Sequence, residues 1–121
     1  MTKTAKKILI IDDDTAILEA LKICMEECGY KVETLSKVKN PKNILDGSIP
    51  DLILLDLRIS GSDGGQIAKV LKKDGKTKNI PIIMISAHPS GKKAAIEAGV
   101  DHFVEKPFEL NYLLDKIERL I

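Results

Sequence analysis

The stretch KILIIDDD, residues 7–14, is a short apolar run that ends directly in three aspartates. Its first five residues, Lys7–Ile11, do not alternate between apolar and polar side chains, so they predict a β-strand that is buried on both faces. Asp51–Leu55 and Ile80–Ile85 have the same character and predict two more such strands. Strands buried on both faces are typical of parallel sheets that helices cover on each side.

The segments around these strands predict a repeated strand–helix order. Apolar residues at helical spacing predict helices over Thr15–Cys28, Pro41–Asp46, Gly65–Lys73, Gly91–Ala98 and Leu110–Leu120, and two weaker strands are predicted over Lys31–Leu35 and Asp101–Val104. The whole chain, 1–121, is expected to form one domain. The expected fold class is α/β: a flavodoxin-like doubly wound (βα)5 domain with a five-stranded parallel sheet in the order 2-1-3-4-5 and helices on both faces, since a barrel needs about twice the length.

Composition excludes several classes of function. Lys and Arg total 19 against 18 Asp and Glu, so there is no bulk charge to favour nucleic acid or a membrane surface. The N-terminal apolar run Ile8–Ile11 is too short for a signal peptide or a membrane span. Cys24 and Cys28 are four residues apart, which is poor disulfide geometry, and they lack the partners of a zinc site. We therefore expect a cytoplasmic protein that binds neither nucleic acid nor membrane.

Polar residues follow four of the five predicted strands. They are Asp12, Asp13 and Asp14 after the first strand, Asp56 after the third, Ser86 after the fourth and Lys106 after the fifth. Ligands of doubly wound sheets bind at the carboxyl ends of the strands, so these side chains are expected to face one site.

The carboxylates of Asp12, Asp13 and Asp56 would repel one another if they lay close together. A hard divalent cation removes this repulsion, and a site of few carboxylates plus water suits Mg²⁺. The competing interpretation is that Asp13 or Asp14 merely caps the following helix, which accounts for only one aspartate of the three.

Asp56 has the chemistry of a phosphoryl acceptor, because carboxylates form covalent acyl-phosphate intermediates. The ammonium of Lys106 and the hydroxyl of Ser86 suit contacts with phosphoryl oxygens. Each also has an ordinary structural interpretation: a turn aspartate, a solvated lysine and a serine that caps a turn. A cis Lys106–Pro107 bond would aim the lysine inward, but most such bonds are trans.

With these residues in place, the chain resembles bacterial response-regulator receiver domains over nearly its whole length. The matching segments are ILIIDDD (8–14), PDLILLDLRISGSDG (50–64), IPIIMISA (80–87) and EAGVDHFVEKPF (97–108). The resemblance implies a phosphoacceptor at Asp56, metal ligands at Asp12, Asp13, Asp56 and the backbone carbonyl of Arg58, phosphoryl-sensing groups at Ser86 and Lys106, a switch aromatic at Phe103 and a turn glycine at Gly64.

The resemblance also implies a mechanism. A histidine kinase or phosphotransfer protein donates a phosphoryl group to Asp56, with Mg²⁺, or Mn²⁺ in its place, neutralising charge. Ser86 and Phe103 then move inward and change a protein-binding surface, read by a downstream target or by an output domain outside this chain. The chain would not be an enzyme beyond catalysing its own phosphorylation and dephosphorylation. Arg58 and His88, each two residues past a site residue, are candidates for gating the hydrolytic water.

Three departures from the family pattern stand out. Ser60 replaces the usual proline of its loop, the stretch from Ser86 to Gly99 is about two residues short, and Pro41 shortens the second helix. The short stretch predicts a short or irregular helix at Gly91–Ala98, and in the family this helix usually belongs to the face that contacts the output partner.

Rival interpretations stay open at this level. Asp12-x-Asp14 resembles the motif of haloacid-dehalogenase phosphatases, although Ala16 replaces its usual Thr or Val. Gly75-Lys76-Thr77 matches the end of a P-loop, but Val70 stands where its first glycine belongs. A pseudo-receiver that binds partners without phosphorylation is the third alternative.

Overall fold

The fold is a five-stranded parallel sheet covered by helices on both faces. The structure, a computed structural model, describes residues 5–40, 44–45, 48–59 and 62–121. The sheet strands are β1 (Lys7–Ile11), β2 (Lys31–Leu35), β3 (Leu52–Asp56), β4 (Ile82–Ser86) and β5 (His102–Glu105). The helices in the described part are α1 (Thr15–Glu27), α2 (Gly64–Lys73), α3 (Gly91–Ala98) and α4 (Leu110–Leu120).

The strand order across the sheet is β2-β1-β3-β4-β5, and every neighbouring pair is parallel. This confirms the doubly wound fold class and its 2-1-3-4-5 order. The order reverses direction between β1 and β3, and that switch point is where such sheets open a crevice at the carboxyl ends of their strands. A two-residue ladder, Arg58–Ile59 paired antiparallel with Ser62–Asp63, lies beyond β3 at the same end.

Alternate residues of the central strands pack into two separate cores. Leu9, Ile53 and Met84 belong to the core that α2 and α3 cover, whereas Ile10 and Leu54 belong to the core that α1 and α4 cover. Strands whose successive residues point to opposite faces need apolar side chains at every position when both faces are covered. The non-alternating runs in the sequence therefore follow directly from this layered packing.

The helix ends have identifiable causes. The side chain of Asp14 accepts hydrogen bonds from the backbone N–H groups of Ala16 and Ile17, so it caps α1. Helix α3 ends at Gly99, whose φ of 77° lies in the left-handed region that glycine adopts without steric cost. Cys28, expected inside the first helix, instead follows it as its C-cap and is exposed, and both cysteines are free.

Three strands begin one or two residues later than expected. Strand β4 begins at Ile82 instead of Ile80, because Pro81 has no N–H for the ladder. The side chain of Asp101 accepts the N–H of Ile82, so it links the starts of β4 and β5 without joining the latter strand. Strands β3 and β4 also end one residue later than expected, so Asp56 is the last residue of β3 and Ser86 is the last residue of β4.

The remaining predictions about secondary structure concern α3 and the segment 41–46. Helix α3 has eight residues and regular α-helical geometry, so the prediction of a short helix is confirmed. Of the short helix expected at Pro41–Asp46, positions 41–43 and 46 lie outside the described residues, while 44 and 45 are described and are not helical. Ser60 also lies outside them. In the described ranges, every helix is too short or too polar to cross a membrane.

Candidate functional site

The candidate site is formed where four strands end at one edge of the sheet. Asp12 directly follows β1, Asp56 and Ser86 are the last residues of β3 and β4, and Lys106 directly follows β5. Strand β2, which contributes no candidate residue, lies at the edge of the sheet. The parallel topology thus brings together residues that are up to 94 positions apart in the chain.

Three carboxylates form the acidic part of this site. One oxygen from each of Asp12, Asp13 and Asp56 can be chosen so that all three lie within 4.8 Å of one another. Asp12 and Asp56 are buried, with 3% and 8% of their surface exposed, whereas Asp13 is exposed. Asp14 does not belong to this cluster, and its side chain caps α1. The capping interpretation therefore applies to Asp14, whereas Asp12 Oδ1 accepts the backbone N–H of Asp14 at 2.9 Å.

Lys106 supplies a positive charge beside the two buried carboxylates. Its Nζ lies 3.4 Å from Asp12 Oδ2 and 3.6 Å from Asp56 Oδ2. The peptide bond to Pro107 is cis, and the backbone N–H of Lys106 donates to the carbonyl of Ser86 at 2.9 Å. The lysine is therefore not a solvated surface residue: its ammonium is positioned between two acidic side chains.

The electrostatics of Asp56 show that one lysine does not balance the carboxylates. Burial, and then the repulsion of Asp12, raise the pKa of Asp56 from 3.8 to about 6. Lys106 and the backbone N–H of Arg58, which donates to Asp56 Oδ1 at 3.4 Å, lower this pKa but do not cancel the increase. Ionising Asp56 is thus more costly in the folded protein than in water, and further positive charge at the site would reduce this cost.

Ser86 and Phe103 lie on neighbouring strands, where Phe103 pairs with Met84, two residues before Ser86. Ser86 is buried, and its Oγ accepts a hydrogen bond of 2.9 Å from the backbone N–H of His88. This bond leaves the hydroxyl proton available for another acceptor. Phe103 is half-buried and packs against the core under α3. The expected turn-capping role of Ser86 is therefore real, and it does not prevent the hydroxyl from acting as a donor.

Arg58 and His88 line one cavity of about 450 Å³ beside the site. Nδ1 of His88 accepts a hydrogen bond of 3.1 Å from the backbone N–H of Ser90 and lies 2.7 Å from the Ser90 hydroxyl. Asp63, whose side chain caps α2 by accepting from the N–H of Gly65, lines the same cavity. The cavity joins the two residues that sequence spacing had singled out, and Ser90 orients the imidazole. Because Ser90 follows His88 by two residues, the sequence itself could have indicated this contact.

Gly64 is required by a close backbone approach. A Cβ at this position would lie 2.2 Å from the carbonyl oxygen of Asp56 and 2.8 Å from the Cα of Leu57. The N–H of Gly64 donates to the carbonyl of Leu57 at 2.7 Å, so the chain after Asp56 turns back directly onto it. Helix α2 begins at Gly64, one residue earlier than expected, and its start supports the backbone of Asp56.

The structure decides against one rival interpretation of the sequence. Gly75-Lys76-Thr77 follows α2, not a strand, and Thr77 is buried with its hydroxyl donating to the carbonyl of Leu71 at 2.5 Å. A P-loop needs a strand before it and a hydroxyl that is available to a metal ion. Thr77 has a structural role instead.

Fold and site together define a class: doubly wound α/β domains with an acidic, lysine-containing site at the switch point of the sheet. Residues 8–118 match the family profile described as the response regulator receiver domain. The chain is 33% identical over 118 residues to the phosphate regulon transcriptional regulatory protein PhoB of Pseudomonas aeruginosa, covering 96% of this chain and 52% of that protein. It is 37% identical to the nisin biosynthesis regulatory protein NisR of Lactococcus lactis, covering 93% and 48%.

Solved structures agree with this assignment. A response regulator described as putative from Chloroflexus aurantiacus superimposes with a TM-score of 0.89 at 28% identity, over 97% of this chain and 98% of that one. A CheY-like receiver domain protein from Methanospirillum hungatei gives a TM-score of 0.86 at 29% identity, over 97% and 94%. The chain therefore belongs to the response regulator receiver domain family. It spans about half the length of the curated relatives it matches.

Proposed function

We propose that this domain is a phosphorylation-dependent switch of a two-component or phosphorelay system, with Asp56 as the phosphoacceptor. One observation carries the proposal: Asp56 is buried in a cluster of three carboxylates, and a lysine ammonium lies 3.6 Å from it. This arrangement has excess negative charge and one residue with the chemistry to be phosphorylated. Both features suit phosphoryl transfer, which depends mainly on positioning and neutralisation of charge.

The acidic cluster fits Mg²⁺. Ligand oxygens of one Mg²⁺ lie about 2.1 Å from the ion and so at most about 4.2 Å from each other. The oxygens of Asp12, Asp13 and Asp56 lie within 4.8 Å of one another, so small side-chain movements bring them into range. We assign the three carboxylates and the carbonyl of Arg58 as ligands. When bound, Mg²⁺, or Mn²⁺ in its place, neutralises charge on the carboxylates and on the phosphoryl oxygens.

The transfer step uses groups of this chain in defined roles. A carboxylate oxygen of Asp56 attacks the phosphorus of a phosphohistidine on a histidine kinase or phosphotransfer protein. The new P–O bond forms as the P–N bond breaks, and the electron pair of the P–N bond leaves with the imidazole. Lys106 is held beside Asp56 and pairs with a phosphoryl oxygen. The hydroxyl of Ser86 donates to another, since its other contact uses it only as an acceptor.

Phosphorylation of Asp56 then changes the protein surface. We assign Phe103 as the aromatic residue that moves inward after Ser86. A protein target, or an output domain outside this chain, reads the altered surface around α3, β5 and α4. The domain itself binds no nucleic acid or membrane and acts in the cytoplasm. It catalyses only its own phosphorylation and dephosphorylation.

Dephosphorylation resets the switch, and Arg58 and His88 are assigned as the residues that gate the attacking water. The support is that both line the cavity beside Asp56. Arg58→Ala and His88→Ala should each change the rate at which the phosphorylated protein loses its phosphoryl group. Unchanged dephosphorylation rates in both variants contradict this assignment but leave the assignment of Asp56 as phosphoacceptor intact.

The deciding experiment is incubation with acetyl phosphate and Mg²⁺, followed by mass analysis of the wild type and of Asp56→Asn. Wild type should gain one phosphoryl group at Asp56, and the variant should gain none there. A label at Asp12 would instead support a phosphatase of the haloacid-dehalogenase type, although Asp14, its required acid/base, is engaged in capping α1. No label with metal present would support a pseudo-receiver.

A further inference from the structure

The first residue of α3, Gly91, lies directly against two groups assigned to the switch. A Cβ at Gly91 would lie 2.8 Å from both Cβ and Oγ of Ser86 and 3.1 Å from Cε1 of Phe103. Contacts closer than about 3 Å are not tolerated between carbon atoms, whose preferred separation is about 3.5–4.0 Å. Only a residue without a side chain therefore fits at position 91, where α3 packs directly against Ser86 and Phe103.

Strand pairing and a short turn hold the backbone on both sides of this contact. Ser86 pairs with Glu105 in the sheet, and its carbonyl accepts the N–H of Lys106. The N–H of Gly91 donates to the carbonyl of His88 at 2.9 Å, so a tight turn of only four residues connects β4 to α3. The short connection pulls the start of α3 onto Ser86. The groups with rotatable bonds at this contact are the Ser86 hydroxyl and the Phe103 ring.

We infer that Gly91 is a positioning residue of the switch: because it has no Cβ, the start of α3 lies directly against both the Ser86 hydroxyl and the Phe103 ring, and a rotation of the hydroxyl changes the space that the ring can enter. This inference rests on the proposed function, in which the hydroxyl turns to the phosphoryl group and the ring follows. When the hydroxyl turns away from Gly91, the vacated volume is open to the ring, because residue 91 contributes no atoms to fill it.

Gly91→Ala should uncouple the two events. The added methyl occupies the volume that the ring needs, but its nearest neighbours are Ser86 and Phe103, not the carboxylates. Asp56 should therefore still accept a phosphoryl group from acetyl phosphate. The response of Phe103 to phosphorylation should be lost. A purely structural effect of the methyl would impair both events or neither.

The experiment uses ¹⁹F NMR of protein labelled with 4-fluorophenylalanine, with and without acetyl phosphate and Mg²⁺. The chain contains two phenylalanines, so the signal of Phe108 serves as an internal comparison for that of Phe103. Gly75→Ala is the matched control, because a Cβ there would meet nothing within 4 Å. In wild type and in the control, phosphorylation should shift the Phe103 signal. In Gly91→Ala, mass analysis should show phosphorylated Asp56 with no such shift.

An equal Phe103 shift in Gly91→Ala and wild type overturns the inference while leaving the proposed function intact. A wild type that is not phosphorylated overturns both. If Gly91→Ala does not fold, the wild type still decides: the nuclear Overhauser effect between the Gly91 Hα protons and the Phe103 ring should change on phosphorylation. An unchanged effect in a phosphorylated sample contradicts the inferred role of Gly91.

Discussion

Replacing Asp56 by asparagine should make the metal-free protein more stable near neutral pH, although it removes the proposed phosphoacceptor. Asparagine has nearly the same shape but no charge. The pKa of Asp56 is raised from 3.8 to about 6, first by burial and then by the charge of Asp12. A carboxyl group whose folded pKa is raised binds its proton more tightly in the folded state, so ionisation destabilises the fold.

The magnitude follows from the size of this shift. A difference of about 2 pKa units at about 1.4 kcal/mol each gives about 3 kcal/mol as an upper limit on the cost of the charge. Since this net shift already includes the attraction of Lys106, we expect a gain of between about 1 and 3 kcal/mol in the free energy of unfolding above pH ~6. Below pH ~4 both states of the wild type are protonated, and the gain should vanish. The wild type thus loses stability as pH rises from about 4 to 6, and the variant lacks this loss.

Urea unfolding followed by circular dichroism, in a chelator at about pH 4.5 and about pH 7.5, measures these differences. Asp14→Asn is the matched control: it makes the same chemical change two residues from Asp12, and asparagine caps helices as well as aspartate does. Added Mg²⁺ should stabilise the wild type more than Asp56→Asn, because the variant has lost one ligand. The reasoning is refuted if Asp56→Asn is not more stable than wild type at the higher pH, or if its advantage does not shrink in acid.

Three further outcomes follow from individual contacts. Gly64→Ala should cost more than about 3 kcal/mol in urea unfolding, because its Cβ would lie 2.2 Å from the carbonyl oxygen of Asp56; wild-type stability would contradict the close approach. Lys106→Met should raise the pKa of Asp56 further, since the ammonium lowers it, as measured by NMR titration of the carboxyl carbon without metal; an unchanged midpoint argues against the contact. Thr77→Val should cost about 1–2 kcal/mol, because it leaves the buried carbonyl of Leu71 without its donor; a neutral effect in the same unfolding assay would show that water replaces the hydroxyl.

Much of the site was predictable because parallel topology has strong geometric rules. Apolar runs identified β1, β3 and β4 without ambiguity, and the carboxyl ends of parallel strands must meet at one edge. Asp12, Asp56 and Lys106 could therefore be placed together from the sequence. Strand starts were less accurate, because they depend on single hydrogen bonds, such as the one that the missing N–H of Pro81 cannot make.

The electrostatics and the close contacts were not predictable in the same way. The pKa of Asp56 depends on its burial and on the distances to Asp12 and Lys106, which no local pattern encodes. The contact of Gly91 with Ser86 and Phe103 involves three segments, and a glycine early in a helix has no local signal for it. Only the assembled fold shows that position 91 has no room for a side chain.

The amino-acid sequence alone determined the layered architecture, the strand order and the identity of the residues at the strand ends, because burial on both faces of a sheet leaves uninterrupted apolar runs that can be read along the chain. The tertiary structure alone decided which aspartate caps a helix, how Lys106 divides its charge between two carboxylates, and how little room surrounds Ser86. Those properties depend on distances between residues far apart in sequence, and interactions of charge and packing change steeply with distance.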